Sequence, residues 1–421
     1  MAQTQEDSID EPLETYKDDC GMTQQGSGNI GHARTMADGQ RTREKKRKQW
    51  EAKQARLQET KSREAKRETW MSENAHYCSH VSSDDVARAK TAGTTVGANG
   101  EGSSGAFVES LLRPYLDLKD GPKRGESSEE TLFIAEGTET VRLLIQQSGR
   151  RNGMRVQSIF VKPATLFDEP TKLLTDIERA SECCSSRKRA KDSSPDATAE
   201  MSMDRSRPPF HLLVGKEEVM SEVAGFNIAR GALACGVVPR RDETWLDEFL
   251  SNKMNSRLLA LDGISDSANM GAMIRCAAAF GIDAMILSHD CCDAWYRRSV
   301  RVSMGHIFHI PVVRVDDLAS TLCRLAASPM CITSYAAVID SDADLILEEI
   351  RRGDISHSWC CVMGNEGNGI SQPVIQACTH RLRVNMASGV DSLSVPIAAG
   401  ILLHGLKERE ARDVAVTDKH C

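Results

Sequence analysis

No run of this sequence is long enough to cross a bilayer. The longest apolar stretch, LSVPIAAGILLHGL at 393–406, falls short of the ~20 residues a membrane helix needs. No C-x-x-C pair occurs among the 14 cysteines, and no secretory signal is present, which argues against a disulfide framework. The thiols, including the adjacent pairs Cys291–Cys292 and Cys360–Cys361, read as reduced side chains packed as small hydrophobes in a cytoplasmic or nuclear protein. Arg is missing at the N-terminus, where Glu6, Asp7, Asp10, Glu11, Glu14, Asp18 and Asp19 stand against Lys17 alone; this is opposite to a mitochondrial transit peptide. His289, Cys291, Cys292 and His306 have no zinc-ligand spacing, so no metal is expected. A net charge of −7 excludes a uniformly basic nucleic-acid binder and leaves only local patches. With 40% apolar and 27% charged residues, part of the chain is not packed.

What is present falls into segments. Residues 1–104 read as a disordered or basic helical tail. Its stretch RTREKKRKQWEAKQARLQETKSREAKRETW, 41–70, favours helix but has only Trp50, Leu57 and Trp70 as large apolar residues. It is either a solvated helix or disorder, or else a basic arm for RNA or a nuclear import signal at REKKRK, and AGTTVGANGEGSSG, 92–105, is a flexible linker. Residues 105–245 alternate short strand and helix signals into a small α/β module, interrupted at 181–208 by a polar low-complexity insertion. From 246 to 412 strands and helices alternate regularly, which predicts a parallel sheet covered on both faces; 413–421 is a tail. Ligands of such sheets bind at the carboxyl ends of the strands.

Three stretches fall at such ends. CCVMGNEGNGIS, 360–371, runs from a buried strand into closely spaced glycines around Glu366: a tight turn, or a place where a ligand meets the backbone. It lacks the Lys-Ser/Thr of a phosphate-binding P-loop, and its glycines are not in dinucleotide-fingerprint order. SDSANMGAMIRCAAAFG, 265–281, is a helix with Asn269 placed to cap it, Gly271 open to close approach, and Arg275 four residues on. That one guanidinium on an otherwise small or apolar helix is a solvated edge or a functional cation. VNMASGVDSLSVPIAAGILLH, 384–404, begins a last helix that Ser392 is placed to cap.

Together these three stretches resemble the three motifs of the SpoU/TrmH family of SPOUT RNA methyltransferases, across roughly 251–410. FIAEG, 133–137, and GALACGVVPR, 231–240, resemble its small substrate-binding domain. The resemblance implies a deep trefoil knot in the C-terminal domain, S-adenosylmethionine as cofactor, and transfer of a methyl group to a ribose 2′-hydroxyl of tRNA or rRNA by a homodimer. It implies catalytic roles for Arg275, Asn269, Glu366 and Ser392, the last three shaping the site that holds Arg275. It implies cofactor contacts from Thr333, Ser334, Gly364, Asn365, Gly367, Val384, Met386 and Leu393. One departure stands out: Ser392-Leu393-Ser394-Val395 replaces the family's common S-L-N-V.

Methyl transfer from a sulfonium releases a neutral leaving group, so the protein must chiefly align and activate a poor hydroxyl nucleophile. An Arg hardly deprotonates, so orientation and charge stabilisation suit Arg275. For RNA, Arg298 and Arg301, with Arg297 beside them, form a basic patch on one helix; ion pairing with neighbouring acids is the other reading of the same arginines. Two other functions compete, a knotted RNA-binding or assembly protein without catalysis and a nucleotide-phosphate binder.

Overall fold

The computed structural model describes residues 31–75, 77–91, 104–118, 131–148, 154–168, 172–180, 210–228, 231–341, 343–390 and 392–410. The predicted insertion at 181–208, the tail at 413–421, most of the linker and residues 1–30 lie outside them. The chain divides into two units, Met1–Glu68 and Thr69–Cys421. Helix α1, Gly31–Glu73, makes up the described part of the first. Trp50 and Leu57 are exposed, and ion pairs run along the helix, among them Arg47–Glu51, Lys48–Glu44 and Arg63–Glu59. Such i,i+4 pairs support a helix with no apolar face to bury.

The second unit contains two sheets. The first has the order β1-β4-β3-β5-β2, from β1 (Cys78–His80), β2 (Leu132–Glu136), β3 (Arg155–Val161), β4 (His211–Val214) and β5 (Ala232–Val237). β1, β4 and β3 are parallel, and β5 is antiparallel to β3 and β2. Its helices are α2 (Ser83–Thr91), α3 (Ser104–Leu112), α4 (Thr138–Gln147), α5 (Pro163–Leu166), α6 (173–180) and α7 (Glu217–Ala224). Alternation divides β3 between two cores, Ile159 and Val161 on one side and Phe160 on the other. β1 and α2 correct the expectation that the tail runs to 104. Tyr77, Cys78, Val86 and Ala89 are buried, and the Tyr77 carbonyl accepts from the Leu212 amide at 2.8 Å. A three-residue edge strand is too short for its period to show in a sequence.

The second sheet is parallel throughout, in the order β10-β12-β9-β11-β6-β7-β8. It comprises β6 (Arg257–Asp262), β7 (Ala284–Leu287), β8 (Val312–Arg314), β9 (Thr333–Ala337), β10 (Leu345–Ile346), β11 (Trp359–Gly364) and β12 (His380–Arg383). Helices α8 (Glu243–Ser251), α9 (Ser267–Phe280), α10 (Arg297–Val302), α11 (Leu318–Ala327), α12 (Gln372–Ala377) and α13 (Val395–Arg409) accompany it. Every residue of β11 is buried. Cys361 packs into the core shared with α9 and α13, while Cys360 packs into that of α8, α11 and α12, so the adjacent cysteines are consecutive positions of a strand buried on both faces. Burial pushes the Cys361 thiol up to about 12 and Cys360 well above its ordinary value; both behave as hydrophobes.

Two caps differ from expectation. Asp266, not Asn269, caps α9, accepting from the Ala268 and Asn269 amides. Ser394, not Ser392, occupies the N-cap of α13, with no side-chain bond, and Pro396 fits the first turn. Each helix begins at a different one of several polar candidates than composition favoured.

Candidate active site

β6 and β11 lie side by side in register up to Asp262 opposite Gly364, so both chains leave the sheet at the same point of its carboxyl edge. After Gly364 the backbone doubles back: Asn365 and Gly369 exchange two hydrogen bonds of 2.9 Å. A Cβ on Gly364 would stand 2.2 Å from the Gly369 carbonyl carbon and the Ile370 nitrogen. At Gly364 the close approach is by the loop's own backbone, as in the tight-turn alternative. Gly367 is different: the nearest atom to a Cβ there is Asn365 Oδ1 at 3.5 Å.

Asn365 fastens the loop. Its Oδ1 accepts from the Gly367 amide (2.8 Å) and the Asn368 amide (3.2 Å), while its Nδ2 donates to the Gly263 carbonyl (2.7 Å). Asp262 accepts from the Ser371 amide at 2.7 Å, pinning the loop's far end. One residue after Asn365, the Glu366 carboxylate accepts from Nδ2 of Asn269 on α9. The β6–α9 turn and the glycine-rich loop are therefore tied at several points, all by side chains on backbone or on each other.

Beside this loop lies a cavity of about 410 Å³, within the usual range for small-molecule sites. Gly364, Asn365, Glu366 and Gly367 line it, with Val384, Met386, Ser392 and Leu393 from the stretch between β12 and α13. Two expected residues are not there. Thr333 and Ser334 stand at the amino end of β9, where Ser334 Oγ accepts from the Thr379 amide at 2.9 Å and Thr333 Oγ1 bonds Ser356. The strand's other end supplies the wall instead, through Ala337, Val338, Ile339 and Asp340. In a parallel sheet the two ends of a five-residue strand face opposite edges, and only the carboxyl edge carries the site. Among the described residues lining the cavity none is Lys, Arg or His, and two are carboxylates, Asp340 and Glu366.

Arg275 lies elsewhere. It is exposed on α9 and borders a separate depression with His306 and His309. Within one chain no described hydrogen bond or ion pair joins it to Asn269, Glu366 or Ser392, so the expected clasp of Arg275 is not formed there. Gly271 faces α10: a Cβ would meet the Ser299 carbonyl oxygen at 2.6 Å and Val302 Cβ at 2.7 Å. α10 carries the basic patch. Arg297 pairs with the nearly buried Glu136 at 3.0 Å and lies over the Phe226 ring at 4.6 Å; Arg301 reaches Glu136 at 3.7 Å. Arg298 is exposed and makes no ion pair among the described residues. Ion pairing thus describes Arg297 and partly Arg301.

Sequence reading missed Asp262, Asp340 and Arg314. Arg314 ends β8 and donates to the carbonyls of Ser288, His289, Cys291 and Cys292 at 2.9–3.0 Å, fixing the loop after β7. A charged residue at the last position of an apolar strand was the available signal for Asp262 and Arg314; Asp340 lies three residues beyond the end of β9.

The sequence model of the SpoU rRNA Methylase family matches residues 256–404. An uncharacterized tRNA/rRNA methyltransferase of Mycobacterium tuberculosis is 32% identical over 189 residues, 44% of this chain and 62% of that protein. The 23S rRNA (guanosine-2′-O-)-methyltransferase RlmB of Acinetobacter baylyi is 31% identical over 200 residues, 47% of this chain and 78% of RlmB. The chain thus spans less than two thirds of the first relative and more than three quarters of the second. The SpoU methyltransferase AviRb of Streptomyces viridochromogenes shares the fold, with TM-score 0.50 and 17% identity over 71% of this chain and 96% of AviRb. The chain belongs to the SpoU methylase family.

Proposed function

We propose that the protein is an S-adenosylmethionine-dependent RNA methyltransferase acting on a ribose 2′-hydroxyl of tRNA or rRNA. The observation that carries this reading is the cavity's charge: two carboxylates and no cation among its described lining residues. A phosphate would be repelled there, whereas a cationic ligand with a large apolar part is favoured. The residues fit S-adenosylmethionine, with Leu393, Val384 and Met386 against apolar surface and the backbone of Gly364–Gly369 open to polar contact. Bound there, the cofactor would supply a methyl group on a sulfonium.

Glu366, held by Asn269, orients the loop at the cavity's mouth. Ser392 offers a hydroxyl at the same wall, where it can bind substrate. Arg275 lies outside the cavity of its own chain, so its role is proposed across a homodimer. Ile397 and Ile401 on α13 are 58% and 38% exposed, an apolar face that a second copy would cover while bringing an Arg275 to the cavity. There the guanidinium would orient a substrate phosphate and stabilise the forming oxyanion. We further infer the trefoil knot through the loops at 364–371 and 384–394. The same reading assigns the first sheet to substrate binding and gives the protein a cytoplasmic or nuclear place.

The isolation of Arg275 within one chain favours one rival, a knotted RNA-binding protein without catalysis. Tritium-labelled S-adenosylmethionine, incubated with the full chain and total cellular RNA, decides between them. The proposed function yields label in alkali-resistant dinucleotides, because 2′-O-methylation blocks cleavage at that position. RNA binding with no incorporated label sinks it.

A further inference from the structure

A second cavity, of about 460 Å³, opens where the two sheets meet. One wall is the segment between β5 and α8, with Arg240 and Arg241; the other is the carboxyl edge of β7 and β8, with Arg314. Leu287, Val312 and Trp295 give it an apolar floor. Its two acids are partly engaged, Asp242 by the Trp245 amide and Asp293 by the Trp295 amide, each at 2.9 Å. Arg241 lies 5.0 Å over the Trp245 ring, and burial pushes its guanidinium down to about 10, the sign of a cation held away from water. Arg240 is exposed and makes no ion pair among the described residues.

A partly desolvated cation beside an exposed one, above an apolar and aromatic floor, matches an unpaired nucleotide: ring on the floor, phosphate on the guanidiniums. A double helix could not enter, since its bases are stacked inside. We propose that this seam cavity holds a single-stranded nucleotide of the RNA substrate away from the reacting ribose, with Arg240 and Arg241 on the two phosphates that flank it. This rests on the methyltransferase reading for the identity of the ligand as RNA. The opposite charge of the two cavities divides the labour, cofactor in the acidic one and RNA backbone in the basic one.

The test uses the full chain and a short thiouridine-containing single-stranded RNA of mixed sequence, without S-adenosylmethionine. Photo-crosslinked adducts are expected within Val238–Trp245 or at Trp295, read by mass spectrometry. The double variant Arg240→Gln/Arg241→Gln should bind the RNA at least about fivefold more weakly, with a salt slope lower by about two, one for each lost phosphate contact. Cofactor affinity by calorimetry should not change. If the double variant does not fold, the exposed Arg240→Gln alone should lower the slope by about one. Adducts confined to α1, or an unchanged slope in folded Arg240→Gln, overturn the proposal. Seam adducts with no S-adenosylmethionine binding would sustain this site and remove the methyltransferase reading instead.

Discussion

The side-chain amide of Asn269 donates to the carboxylate of Glu366 across 97 positions of sequence, joining the first turn of α9 to the glycine-rich loop after β11. Both residues are at least partly exposed, so the bond contributes little to folding. Its effect is on where the loop sits. Glu366→Ala should lower methyl transfer by about 10²-fold, as misplacing a reacting geometry does, while Tm stays nearly fixed. Asn269→Ala should cost a similar amount, and the double variant little more than either, because the two act as one unit. Additive losses in that cycle refute the coupling.

Gly364→Ala and Gly367→Ala should separate folding from binding. The first drives a Cβ into the loop backbone at 2.2 Å and should destabilise the protein by about 3 kcal/mol. The second has room and should leave stability within about 0.5 kcal/mol while weakening S-adenosylmethionine. Denaturant melts paired with calorimetry read both; a stable Gly364→Ala protein contradicts the geometry.

Arg275→Lys should remove most methyl transfer, by about 10²-fold, with cofactor affinity unchanged, since a point charge cannot replace a planar fork on phosphate and hydroxyl. Mixing this variant with Glu366→Ala tests the homodimer. If Arg275 serves the other copy's cavity, mixed dimers regain one intact site and activity returns. No recovery on mixing confines each site to one chain.

Deleting residues 1–68 removes the basic helix without touching β1. RNA binding should weaken and its salt dependence flatten, while the modified nucleotide stays the same, because phosphate contacts without fixed geometry do not choose a base. Methylation redirected to another nucleotide would overturn this. The boundary matters: a cut at 100 would also remove β1, whose backbone pairs with β4, and any loss would then report unfolding.

The parallel sheet was legible because β6, β7, β9 and β11 are short apolar runs punctuated by Gly263, Gly281 and Gly364, and the cavity loops were legible through their motif spacing. The placement of Thr333 and Ser334 failed for want of direction. Composition marks CITSYAAV as a strand but does not say which of its ends reaches the site. Arg275 stays a pair of alternatives in the sequence, since a lone cation on a helix is solvated or functional according to what packs beside it. The seam cavity was invisible. Arg240 and Arg314 are distant in sequence and meet only because the first sheet docks against the edge of the second.

Cys360 and Cys361 lie back to back in β11, one thiol in each core. A thiol-specific reagent can reach either only when the corresponding helix layer lifts away from the sheet, and it distinguishes the layers by which cysteine is modified. Labelling of Cys361 ahead of Cys360 would show α9 and α13 opening before α8, α11 and α12, and simultaneous labelling would show the sheet yielding as one piece. The strand carries its own two-sided clock for the motions of the layers that bury it.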